Sequence, residues 1–64
     1  MRTEDIIKVT EANFCVLRPQ DQPEPCIQIY TESQGWTTVK TYPTKEARDK
    51  DLNEHLKSRR NILD

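Results

Sequence analysis

Apolar side chains recur at every second position through the middle of the chain, first Phe14 and Val16, then Ile27 and Ile29. Past Pro43 that spacing gives way to a charge-dense run, Lys45 to Arg60. The change is from strand period to helix period. It predicts an α+β chain in which a small antiparallel sheet is followed by one C-terminal helix, in β-β-β-α order.

From Asn13 to Arg18, Phe14 and Val16 fall on one face and Cys15 and Leu17 on the other. Pro19, Pro23 and Pro25 mark the following stretch as a loop, because each proline removes a backbone donor and fixes φ. Cys26 to Glu32 alternates again, and Ser33-Gln34-Gly35 supplies a hairpin turn with the sole glycine where a left-handed residue is wanted. Trp36 to Tyr42 is the third strand. Asp5 to Val9 suits a strand by its β-branched content, although Thr3-Glu4-Asp5 also suits a helix start. The strand reading is preferred, which adds a fourth strand or an arm. The expected organisation is one small domain over residues 1–64, with an N-terminal segment 1–12, a sheet 13–42 and a helix 44–63.

Closing the hairpin on Glu32 and Trp36 pairs Tyr30 with Thr38, Ile29 with Val39, and Cys26 with Tyr42. A tighter Gln34-Gly35 turn pairs Ile29 with Lys40 and puts a charge on the apolar face, so the first register is preferred. Thr44 is the expected N-cap, with Glu46 in the first turn and Lys57, Arg59 and Arg60 at the negative end of the dipole. Leu52, His55, Leu56, Ile62 and Leu63 form one stripe, with Ala47 at its margin. That stripe is expected to cover Phe14, Val16, Ile27, Ile29 and Val39. Lys45–Asp49, Glu46–Lys50 and Asp51–His55 are spaced as i,i+4 pairs on the solvated side.

Composition moderates this picture. The 64 residues are 33% hydrophobic and 33% charged, towards the polar end for a folded domain. A net charge of −1 argues against disorder, which usually pairs low hydrophobicity with high net charge. A chain this short buries only ~60% of its unfolded surface, so a disulfide, a metal or a second copy would add stability. The acidic start, Met1-Arg2-Thr3-Glu4-Asp5, is no secretory signal, and no stretch approaches a membrane span. A cytoplasmic protein is expected, with Cys15 and Cys26 as reduced thiols rather than a cross-strand disulfide.

The sheet face away from the helix is expected to gather Cys15, Leu17, Cys26, Tyr30, Trp36 and Tyr42. Leu17, Tyr30, Trp36 and Tyr42 are therefore the candidate partner interface. Chemistry is harder to find. His55, the single histidine, is separated by the sheet from either cysteine, which argues against a catalytic pair or a metal site. One glycine makes no phosphate loop, and no apolar pocket is foreseen in so small a core. No catalytic residue, metal, cofactor or small-molecule substrate is evident.

Lys40, Lys57, Arg59 and Arg60 are the candidate phosphate contacts of an alternative, nucleic-acid-associated reading. Three antiparallel strands joined to a helix by Tyr42-Pro43-Thr44-Lys45-Glu46-Ala47 resemble the arm-site DNA-binding domain of phage-type integrases. The resemblance implies a basic sheet face entering the major groove. Here that face offers Lys40 and, at one end, Arg18, beside neutral aromatic residues, and the pI is about 5.8. The sequence favours a non-catalytic protein-interaction module or homodimer over an accessory nucleic-acid protein of bacterial or phage type.

Overall fold

The computed structural model describes residues 2–64; Met1, the first residue of the expected 1–12 segment, lies outside the described residues. The chain begins with a helix, α1, over Thr3–Glu11, where a strand was preferred. Glu4 and Asp5 sit in its first turn near the positive end of the dipole. Its end is a Schellman motif. Asn13 adopts φ 68°, the Asn13 amide donates to the Thr10 carbonyl at 3.0 Å, and the Phe14 amide donates to Val9 at 2.9 Å.

Three strands follow, β1 (Cys15–Gln20), β2 (Cys26–Thr31) and β3 (Gly35–Thr41), then α2 (Lys45–His55) and a short β4 (Asn61–Leu63). The sheet is mixed, in the order β3-β2-β1-β4, with β4 parallel to β1. The architecture is α+β as expected, but the sheet is four-stranded rather than a three-stranded antiparallel one, and a helix stands on each side of the β-β-β run. The expected helix over 44–63 is shorter because the chain turns after Leu56. The Asn61 side chain donates to the His55 carbonyl at 2.7 Å and holds that turn. Ile62 and Leu63, read as helical stripe, pair instead with Val16 and Leu17.

β1 runs through Pro19, which the sequence placed in a loop. The Leu17 carbonyl accepts from the Asp64 amide at 2.8 Å, so alternate residues of β1 direct their backbone groups towards β4. Pro19 belongs to that set but lies past the end of β4, where a missing donor breaks no ladder bond.

The hairpin closes on Thr31 and Gly35, with Gly35 at φ 69°. Tyr30 therefore faces Trp36 and Gln28 faces Thr38, and a bulge at Val39 then shifts the register so that Ile27 faces Lys40 and Cys26 faces Thr41. Neither register weighed from sequence contains this bulge. It leaves Lys40 exposed despite its place opposite an apolar residue, and Val39 59% exposed.

The core cluster is Leu17, Ile27, Tyr42 and Leu52, with Ile29, Ala47 and Leu56 packed against it. Leu17 pairs with Ile29, so α2 covers Leu17 and not Val16, the reverse of the expected parity. Val16 is nevertheless fully buried, as is most of Ile6. With α2 on the opposite face, α1, which packs on β1, is the element that covers Val16. Phe14, expected under the helix, is exposed.

Arg48 anchors α2 to the β1–β2 loop from a nearly buried position. Its Nη1 donates to the Gln20 carbonyl at 2.7 Å and to Asp21 at 2.5 Å, and its Nε donates to Asp49 at 3.0 Å. Lys45 also turns to Asp21, at 3.5 Å, and Asp49 to Arg48, so the expected Lys45–Asp49 pair gives way to contacts with the loop. Asp51–His55 does form, at 3.5 Å. The Thr44 hydroxyl accepts from the Ala47 amide at 3.1 Å, the expected N-cap.

Candidate functional site

Cross-strand pairing assembles a ladder on the sheet face away from α2. Arg18 faces Gln28, Gln28 faces Thr38, and Tyr30 faces Trp36. Arg18 Nε donates to Gln28 Oε1 at 2.9 Å, and Gln28 Nε2 donates to Thr38 Oγ1 at 3.3 Å. The Arg18 guanidinium carbon lies 4.1 Å from the Trp36 ring centroid. Tyr30 meets the same ring edge-on, with centroids 5.6 Å apart and planes at 72°. Side chains from three strands are thereby held in one arrangement. Arg18, Tyr30 and Trp36 are all half-buried, and α1 packs on β1 rather than across β2 and β3.

The interface residues expected from sequence divide between the two faces. Tyr30 and Trp36 stand together on the ladder, whereas Leu17 and Tyr42 are buried beneath α2. Arg18, read from sequence as a marginal cation at one end, reaches across the ladder to the Trp36 ring. Strand pairing across the proline loop was the signal that could have found it.

Tyr42 belongs to a different cluster. Its hydroxyl donates to Asp51 Oδ2, which also contacts His55. Burial, reinforced by the Asp51 hydrogen bond, pushes the Tyr42 phenol up to about 12. The same hydrogen bond holds the Asp51 carboxyl below its ordinary range. Lys40 Nζ lies 5.2 Å from the Tyr42 ring centroid. Between α2 and the sheet these side chains rim a cleft of about 510 Å³ floored by Leu17, Ile27, Ile29 and Val39, a concavity that the sequence had not led us to expect.

The basic residues of the alternative reading do not converge. Lys40 lies on β3, one edge of the sheet, while Lys57, Arg59 and Arg60 occupy the turn into β4, the other edge. Lys57 pairs with Glu54 at 3.0 Å, Arg60 donates to the Asn13 carbonyl at 3.3 Å, and Arg59 is exposed. The turn, rather than a helical C-terminus, therefore carries these charges.

Cys15 and Cys26 are free thiols. Cys26 lies near Gln20, at the opposite end of β1 from Cys15, so the strand register separates the two. No group of three or more metal-ligating side chains converges among the described residues. None of the described helices is long and apolar enough to cross a membrane. Comparison of the chain with protein-family models, curated proteins and solved structures finds no match.

Proposed function

We propose that this protein is a small non-catalytic interaction module that meets a protein partner through the Arg18–Tyr30–Trp36 face of its sheet. One observation carries the reading: Trp36 is braced by Arg18 at 4.1 Å and by Tyr30 at 5.6 Å, on a part of the sheet that neither helix spans. Tryptophan, tyrosine and arginine are the residue types that dominate binding energy at protein interfaces. Holding them before contact lowers the ordering cost of association. A non-catalytic role is further supported by the shifted ionisable groups. Asp21 and Arg48 tie α2 to the loop, and Tyr42 and Asp51 tie the end of β3 to α2.

A second copy of the chain is the first partner to test, because a two-fold axis would place this face against itself. Sedimentation equilibrium of the reduced protein at low and high salt is expected to show a salt-insensitive dimer. Trp36→Ala should weaken that dimer at least tenfold, the usual size of a hot-spot loss of about 2 kcal/mol, and leave the circular dichroism spectrum unchanged. If Trp36→Ala unfolds the chain, Trp36 is core and the proposal fails. If the chain is monomeric and a titration with purified candidate partners also leaves Trp36 fluorescence unmoved, it fails as well.

A further inference from the structure

The α2-side cleft lies across the sheet from the Arg18–Tyr30–Trp36 face and supports a separate reading. It exists because α2 ends at His55 and the chain then turns to the far edge of the sheet, leaving Ile29 half-buried and Val39 exposed. Its volume of about 510 Å³ lies within the ~300–1,000 Å³ usual for small-ligand sites, and its floor is aliphatic.

The polar rim is asymmetric. Asp51 is occupied, accepting from the Tyr42 hydroxyl and contacting His55 at 3.5 Å. Lys40 has no carboxylate within 4.0 Å among the described residues; its ammonium rests over the Tyr42 ring at 5.2 Å with its hydrogen-bond donors unspent. The cleft thus offers an apolar surface and, within the field of Asp51, one cation whose hydrogen-bond donors are unengaged. That combination complements an apolar molecule carrying a single anionic head.

We infer that this cleft binds a small amphipathic carboxylate, its hydrocarbon body on Ile27, Ile29 and Val39 and its carboxylate on the Lys40 ammonium. The test uses the intact chain, with decanoate below its micellar concentration as the probe and decanol as the uncharged control. Heteronuclear NMR titration is expected to show saturable shifts at the Ile27, Ile29 and Val39 amides, with decanoate binding about tenfold more tightly than decanol, as one charge-assisted hydrogen bond provides.

Lys40→Met should abolish that preference and leave decanol binding as it was. Val39→Asp, at a position 59% exposed, should remove the decanoate response while preserving the spectrum of the folded chain. Equal affinities for the two probes, an unchanged preference in Lys40→Met, undiminished decanoate binding in Val39→Asp, shifts confined to Tyr30 and Trp36, or no saturable binding would each overturn the inference. Failure here would leave the protein-partner proposal standing, since that proposal is read at Trp36.

Discussion

Replacing Arg48 by methionine tests the claim that one nearly buried guanidinium fixes α2 against the β1–β2 loop. The bond to the Gln20 carbonyl, at 2.7 Å, is charged on one side, and its loss should cost about 1.5–3 kcal/mol. The Asp21 partner is 50% exposed and can rehydrate, so that pair adds little. Asp49 is 56% exposed and adds a few tenths, roughly. Against these losses, methionine preserves most of the aliphatic packing and avoids the burial of a charge, an offset of about 1 kcal/mol after relaxation. The net expectation is a destabilisation of about 2 kcal/mol. A chain of 64 residues has only a few such increments in hand, since stability runs at about 0.05–0.15 kcal/mol per residue. Thermal melts followed by circular dichroism should then show a midpoint lowered by about 8–16 °C. Asp49→Asn should change the midpoint little, and Asp21→Asn should fall between the two. If Arg48→Met melts within about 0.5 kcal/mol of the parent, desolvation cancels the bonds and Arg48 is not the anchor described.

Alkaline unfolding should report on Tyr42. The folded state holds the phenolic proton more tightly than the unfolded chain does, so this contribution is whole below pH 10.0 and is lost as pH rises towards about 12. Urea midpoints measured across that window should decline in the parent, and Tyr42→Phe should remove this part of the decline. In acid the sign reverses, because Asp21 and Asp51 are depressed in the folded state: their contribution is present above the ordinary value of 3.8 and lost as pH falls through the folded values. Thr44→Ala should cost about 1 kcal/mol in the same melts by removing the bond to the Ala47 amide.

Much of the sheet was legible because its strands alternate and its turns carry the residues that turns require. Gly35 at the hairpin and Thr44 before α2 are local signals that tertiary packing left in place. Other elements depended on contacts the chain alone does not display. Ile6, Ile7 and Val9 fit either a strand or a helix, and burial of Ile6 on the side of β1 that carries Val16 goes with the helix. The same packing obscured the parity of β1. With a helix on each face, both Val16 and Leu17 are buried, and alternation no longer tells which of them α2 covers. Ile62 and Leu63 continue the helical stripe by spacing, yet the turn after Leu56 delivers them to the sheet.

The candidate site was partly readable for the same reason. Tyr30 and Trp36 belong to the hairpin and stayed together, while Leu17 and Tyr42 were assigned by a parity that the second helix and the bulge altered. Arg48 carried a signal that was available in the sequence: it stands four residues before Leu52, on the apolar stripe, where a charge requires a partner from another element. Asp21, in the proline loop, is that partner.

The irregularity at Val39 also bears on how copies of the chain behave in crowded solution. Gly35-Trp36-Thr37-Thr38-Val39 is rich in β-forming residues, carries no charge and lies on an open sheet edge, the combination that seeds cross-β growth. The extra residue bends the strand before its pairing row is complete, and Lys40 places an ammonium directly beyond it. A straight, uncharged strand from another molecule therefore finds only a short stretch to template on, which lets the protein keep an exposed tryptophan-bearing edge without offering it to fibrils.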